Sequence, residues 1–404
     1  MGAFPDGCGV KKERELMRVS RLICTFALFI ALAQRPISAA QAIPAVSEKM
    51  KEFVAQNEIA GAVTLVADKE KILHLDATGR ADLSSQTPLS SDALFWIASM
   101  SKPVTGVAVL IMQDEGKLSV DDPVEKYIPE FANYKNPADG SKATITIKHL
   151  LTHSSGMPEA TAAEMKSSHT LSELIPHFLD KPLQFAPGSK WQYCQSSINT
   201  AGRIVEIVSG KPFEVFVQER IFAPLGMSDT TFYPTEAQAA RIARSYRKEN
   251  GKLSEAPVMI LFGMPATSHE RYPAANGGLF STAADYARFC QMLLNGGELN
   301  GKRILKSETA KQFSTVQFPE HKTGFTPGNG WGIGCCIVRE PQGVSAMLSP
   351  GTYGHGGAFG TQAWIDPQKN LIYILMVQRA NFPNADNSEV RKAFQQAAAE
   401  ALAK

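Results

Sequence analysis

The pattern that most constrains the fold is the confinement of strand signals to the two ends of the chain. Residues 62–67 and 71–77 are apolar, β-branched runs on either side of a polar turn, which predicts a hairpin. A second hairpin is predicted over residues 361–365 and 371–378, followed by a helix at 388–403. Since strands need partners to bury their apolar faces, we expect one antiparallel sheet built from both chain ends.

The middle of the chain, residues 99–271, shows helical periods that proline and glycine interrupt. We therefore expect a mainly helical region inserted between two strand-bearing parts, residues 43–98 and 272–404. An amphipathic helix before the first hairpin and the helix at the chain end are expected to cover the sheet. The predicted fold class is α/β of the α+β type, with an antiparallel sheet flanked by helices.

The first 42 residues predict an export signal with a possible upstream extension. Basic residues at 18–21 precede the apolar run 22–33, and small residues then allow cleavage after Ala40 or Ala42. The alternative is an uncleaved membrane anchor, which is disfavoured because the apolar run is short for a membrane span. The mature chain is therefore expected to be secreted or periplasmic, without a membrane span.

Composition excludes several kinds of partner. Lys and Arg number 41 against 39 Asp and Glu, so nothing favours nucleic acid as a partner. His149 and His153 have a spacing that can hold a metal, but no Glu completes a His-Glu-x-x-His pattern, so we expect no metal. No dinucleotide or phosphate-loop pattern occurs, and the sequence does not indicate an oligomeric state.

We expect free, mostly buried thiols at Cys194, Cys290, Cys335 and Cys336.

Ser99 and Lys102 form the strongest local chemical pattern. They are three residues apart at a predicted helix start, where positions i and i+3 share a face. An amine held near its titration point can take the proton of the serine hydroxyl. The alternative is a helix-capping serine with a solvated lysine in the next turn. Residues elsewhere in the chain are needed to show whether Ser99 is a nucleophile or a helix cap.

Two distant segments offer such residues. A Tyr193 hydroxyl near the pair can carry protons, and we expect a neighbouring ammonium to lower its pKa from the usual value near 10. The glycines of His355-Gly356-Gly357 let a substrate approach the backbone, where an N–H can serve an oxyanion hole. A core tyrosine and an ordinary glycine-rich loop are the alternatives.

Together the segments resemble a known superfamily. Ser99-x-x-Lys102, Tyr193-x-Gln195 and His355-Gly356-Gly357 have the order and approximate spacing of the serine β-lactamase and penicillin-binding-protein superfamily. Residues 149–156, 222–227, 277–282 and 364–367 also resemble its class C branch, which includes family VIII carboxylesterases, D-aminopeptidases and DD-carboxypeptidases. The resemblance covers nearly the whole mature chain.

The resemblance implies a β-lactamase/transpeptidase-like fold with the site between an α/β part and a helical part. It implies Ser99 as the acylated nucleophile, Lys102 as its activating partner and Tyr193 as a proton carrier. The N–H groups of Ser99 and Ala358 would form the oxyanion hole, and no metal or organic cofactor is implied. Substrate-binding positions would be Gln195, His355, Gly356 and Gly357.

Two departures from the superfamily pattern bear on the substrate. Gln195 stands where Asn is usual, and His355 stands where Lys supplies a fixed positive charge. Both favour a neutral ester, so we expect a carboxylesterase of small acyl esters. A β-lactamase, a D-amino-acid-specific peptidase, an acyltransferase and a non-catalytic penicillin-binding-protein-like module are the alternatives. The sequence leaves the base open between Lys102 and Tyr193.

Overall fold

The computed structural model describes residues 1–2 and 42–403. Its strands in chain order are β1 Gly61–Ala67, β2 Ile72–Asp82, β3 Thr87–Pro88, β4 Phe95–Trp96, β5 Tyr246–Glu249, β6 Lys252–Glu255, β7 Phe280–Ser281, β8 Glu298–Leu299, β9 Lys302–Arg303, β10 Asn329–Trp331, β11 Cys336–Val338, β12 Tyr353–Gly356, β13 Gln362–Asp366 and β14 Leu371–Met376.

Helices fill the middle of the chain and flank the strands at its ends. They are α1 Pro44–Ala55, α2 Ser101–Asp114, α3 Ile147–Leu151, α4 Ala162–Ser167, α5 Leu171–Leu174, α6 Pro176–Leu179, α7 Gln195–Ser209, α8 Phe213–Val217, α9 Ala223–Leu225, α10 Glu236–Ala239, α11 Ala283–Leu294, α12 Ser307–Phe313 and α13 Glu389–Leu402. A π-helical turn at Gln218–Phe222 joins α8 to α9. Short 3₁₀ turns lie at Ala98–Met100, Val124–Lys126, Pro129–Asn133, Met259–Leu261, Gly343–Ser345 and Ala385–Asn387.

An eight-stranded sheet joins the two ends of the chain. Its strand order is β10-β11-β12-β13-β14-β1-β2-β3, and every neighbouring pair is antiparallel. The junction is the pair β14 and β1, where Ile374 lies opposite Leu65. The predicted hairpins are β1–β2 and β13–β14. The expectation of one antiparallel sheet built from both chain ends is confirmed.

Helices cover both faces of this sheet, which explains why its central strands are apolar throughout. Leu65 and Ile374 belong to the large core shared with α2 and α11. On the opposite face, Tyr373 packs with residues of α1 and α13, including Phe394. Alternate residues of β1 and β14 thus enter different cores, as the period of a strand requires.

Other predictions have mixed outcomes. The export signal falls almost entirely on residues 3–41, which lie outside the described residues. The division into 43–98, 99–271 and 272–404 stays a prediction. Within residues 42–403, no helix combines the length and the apolar character needed to cross a membrane. The thiols of Cys194, Cys290, Cys335 and Cys336 are free and buried, as expected.

Candidate active site

Ser99 lies in a strained turn between β4 and α2. The preceding residue, Ala98, adopts φ 45°, and such a left-handed conformation costs a residue with a Cβ about 1–3 kcal/mol. Hydrogen bonds hold the turn: Ser101 Oγ donates to Ala98 O at 2.7 Å, and Tyr286 OH donates to Met100 O at 2.8 Å. The surroundings therefore fix the turn, while the Ser99 side chain stays partly exposed.

Lys102 is fully buried on the first turn of α2, and its amine meets the Ser99 hydroxyl. Nζ lies 3.0 Å from Ser99 Oγ and donates to Asn276 O at 2.7 Å. Burial lowers the pKa of Lys102 from 10.5 to about 7, and the carboxylates of Glu159 and Asp386 oppose this more weakly. A large fraction of the amine is therefore neutral near pH 7, and a neutral amine can accept the serine proton.

Tyr193 packs against the same amine. Lys102 Nζ lies 4.6 Å from the centroid of the phenol ring, and Tyr193 OH lies 3.5 Å from His355 Nε2. Burial raises the pKa of Tyr193 well above 10, and a hydrogen bond with the Ser99 side chain opposes this more weakly. The expectation of a lowered pKa is wrong, because loss of water around the phenol outweighs the neighbouring charge. A neutral phenol can relay a proton but is a poor base.

His355 brings a neutral ring to the site from strand β12. Its Nδ1 lies 2.6 Å from Gly356 O, so Nδ1 carries the proton and donates it. Nε2 is then the acceptor that faces Tyr193 OH. Burial, with a smaller contribution from the Lys102 charge, lowers the pKa of His355 to about 3. The position therefore supplies no positive charge at neutral pH.

The glycines after His355 bring the chain close to the Ser99 turn. A Cβ at Gly357 would lie 2.6 Å from Ile97 O, so a side chain there would push the two segments apart. Gly357 N–H donates to Thr361 O at 2.7 Å, which holds the loop. Within residues 42–403, the N–H groups of Ser99 and Ala358 have no protein acceptor. The assignment of these two N–H groups to an oxyanion hole stays a prediction.

Gln195 contacts the lysine only through another residue. Its Oε1 accepts a hydrogen bond from Asn276 Nδ2 at 2.8 Å, while Asn276 O accepts one from Lys102 Nζ. The exposed Glu159 carboxylate accepts the N–H groups of Gln195 and Ser196 at 2.5 and 2.9 Å, at the start of α7. Gln195 thus belongs to a network on the edge of the site.

The structure brings together Ser99, Lys102, Tyr193 and His355, whose catalytic and binding roles stay predictions. It adds Asn276 and Glu159, which sequence reasoning missed. Asn276 directly precedes a Gly-Gly pair in one of the segments that resemble the class C branch, and no other signal pointed to it. Glu159 stands in no motif. In the part of the chain described, no three His, Cys, Asp or Glu side chains are grouped so that they could hold a metal.

Comparison with known proteins decides the family. The family model named Beta-lactamase matches residues 46–398. The chain belongs to the beta-lactamase family. Esterase EstB of Burkholderia gladioli is 30% identical over 355 residues, which cover 80% of this chain and 87% of EstB. A candidate D-alanyl-D-alanine carboxypeptidase of Escherichia coli K12 is 30% identical over 316 residues, which cover 74% of this chain and 71% of that protein.

A solved structure shares the fold of this chain. EstCE1, described as a hydrolase with promiscuous acyltransferase activity, superposes with a TM-score of 0.75 and 24% identity. The superposition covers 88% of this chain and 97% of EstCE1. The fold is the β-lactamase/transpeptidase-like fold expected from the three segments, with a mainly antiparallel sheet flanked by helices.

The lowered pKa of Lys102 predicts the pH dependence of acylation. Only the neutral amine can take the Ser99 proton, so the acylation rate should rise with pH through about 7 and level off above it. With a pKa of 10.5 the amine would be about 1% neutral or less at pH 8. The rate of covalent labelling by a fluorophosphonate, measured from pH 5 to 10, tests this.

A pair of variants controls for other titrating groups. Glu159→Gln removes a carboxylate that raises the pKa of Lys102, so the midpoint should move to lower pH. Glu164→Gln removes a carboxylate that is paired with Lys181 and should leave the midpoint unchanged. A midpoint near 10 in the unmodified protein would contradict a largely neutral Lys102.

Proposed function

We propose that this protein is a serine hydrolase that forms an acyl-enzyme at Ser99 and acts as a carboxylesterase on small acyl esters. The observation that carries the proposal is the position of the Lys102 amine, fully buried and 3.0 Å from Ser99 Oγ. The amine donates to a hydroxyl and a carbonyl rather than to a carboxylate, so no close negative charge keeps it protonated.

The geometry supports a two-step reaction. Neutral Lys102 takes the Ser99 proton as Oγ attacks the acyl carbon, and the N–H groups of Ser99 and Ala358 stabilise the oxyanion. As the oxyanion collapses, the bond to the alcohol oxygen breaks and the alcohol leaves with a proton, which Tyr193 can pass on from Lys102. Water then attacks the acyl carbon with the same groups in the same roles, releasing the acid and restoring Ser99.

We assign the base to Lys102 rather than to Tyr193. Burial shifts the pKa of both groups towards their neutral forms. For an amine the neutral form is the base, whereas for a phenol it is the conjugate acid. The phenol packs against the amine and is placed to carry its proton onward.

The charges around the site support a neutral ester over an anionic substrate. His355 is neutral where the superfamily usually has lysine, and the Glu159 carboxylate lies on the Gln195 side of the site. A β-lactam or a peptide ending in D-alanine carries a carboxylate, and the neutral His355 offers it no positive charge. Among the relatives, esterase EstB supports this preference, whereas the equally identical candidate D-alanyl-D-alanine carboxypeptidase of Escherichia coli K12 supports the peptidase alternative.

The proposal includes export to the periplasm or the medium. Its support is the basic, apolar and small-residue order within residues 1–42. Buried free thiols are compatible with such a compartment, because no disulfide is needed to hold the two cores together.

Covalent labelling tests the nucleophile. We expect the unmodified protein to take up one fluorophosphonate, seen by intact mass, and Ser99→Ala to take up none. Ser167→Ala is the matched control, because its exposed hydroxyl donates to Glu164 O and takes no part in the Ser99 turn. Lys102→Met should slow labelling by about 10²–10⁴-fold, the usual contribution of a general base. Absence of an adduct, or one that survives Ser99→Ala, would overturn the assignment.

Turnover of three substrates tests the substrate class. We expect kcat/KM for p-nitrophenyl butyrate to exceed that for a chromogenic cephalosporin and for a D-alanyl-D-alanine peptide by about tenfold or more, because His355 is neutral where the superfamily usually has lysine. His355→Lys should shift the ratio towards the two anionic substrates, and Glu159→Gln should do so more weakly. Faster cephalosporin than ester turnover in the unmodified protein would contradict the esterase proposal, and binding of penicillin without any turnover would favour a non-catalytic module.

A further inference from the structure

His153 follows α3 and has an unusual backbone conformation. It is fully buried and adopts φ 57°, a region that residues other than glycine seldom occupy. A buried side chain held in this conformation indicates that its particular position is needed.

The backbone and the ring of His153 bind both neighbours of Tyr193. Its carbonyl oxygen accepts the N–H of Gln192 at 2.8 Å, and its Nδ1 accepts the N–H of Cys194 at 3.1 Å. His153 therefore holds the backbone immediately before and immediately after Tyr193. Since Nδ1 accepts, the imidazole proton is on Nε2.

The His153 ring also supports the phenol itself. Its centroid lies 4.3 Å from that of Tyr193 and 4.9 Å from that of Trp331, with which it forms a T-shaped contact. Nε2 is buried and has no hydrogen-bond partner in the described part of the chain. An apolar residue would fill this space without leaving a buried donor unpaired, so packing alone does not explain a histidine here.

We propose that His153 is a positioning residue that fixes the Tyr193 hydroxyl relative to Ser99 and Lys102. It does so through the hydrogen bond to Cys194 N–H and through contact with the phenol ring. This inference rests on the proposed acyl-enzyme function. Misplacement of a reacting group by about 1 Å can cost about 100-fold in rate, so loss of this support should be measurable.

Two substitutions separate the supports that His153 provides. In His153→Asn, Oδ1 can replace Nδ1 as the acceptor, and asparagine tolerates positive φ, but the ring contact is lost. In His153→Gln the amide lies one bond farther out and positive φ is disfavoured, so both supports are lost. For the rate of fluorophosphonate labelling we expect a fall of about 100-fold in His153→Gln and about tenfold in His153→Asn. Labelling should still reach one adduct per chain at long times.

A double-mutant cycle with Tyr193→Phe gives the decisive readout. If His153 acts through the Tyr193 hydroxyl, His153→Gln should slow labelling by less than about twofold in the Tyr193→Phe background. Equal losses in both backgrounds, or an unmodified rate in His153→Gln, would overturn the inference. If His153→Gln does not fold, the same cycle is run with His153→Asn and judged by the same criterion. Absence of labelling in the unmodified protein would instead refute the proposed function.

Discussion

The central physical constraint is the burial of the Lys102 amine beside Ser99. An ammonium in a protein interior is costly unless a carboxylate pairs with it, and within residues 42–403 the amine hydrogen-bonds to the Ser99 hydroxyl and the carbonyl of Asn276 and packs on the Tyr193 ring. The equilibrium therefore moves towards the neutral amine, which is a base at physiological pH. The same loss of water keeps Tyr193 and His355 uncharged, so one environment sets the protonation state of the whole site.

The fold creates this environment by joining distant parts of the chain. The strands from the two ends of the chain pair at β14 and β1. The glycine that follows β12 lies against the turn that carries Ser99. There, Gly357 leaves no room for a side chain beside Ile97 O, so the backbone of the loop can approach the serine. The site thus depends on backbone contacts as much as on its reactive side chains.

Periodicity and ordered motifs were enough to predict the shared sheet and the grouping of Ser99, Lys102 and Tyr193. Spacing alone would not have sufficed, because Ser245 and Lys248 have the same spacing but occupy extended chain and bond to other partners. Asn276, the support from His153 and the direction of the Tyr193 pKa were not predictable, because each depends on tertiary packing. The motifs predict which side chains react, whereas the protonation states of these side chains depend on how deeply the fold buries them.

A direct NMR titration of Lys102 tests the central claim. With ¹³C,¹⁵N-labelled lysine, the Cε and Nζ shifts of Lys102 can be followed from pH 5 to 11 and assigned by their loss in Lys102→Met. A midpoint near 7, well below those of the exposed lysines, is the predicted result. A Lys102 that stays protonated up to pH 9 or above would contradict the account, because a charged amine cannot take the proton of Ser99.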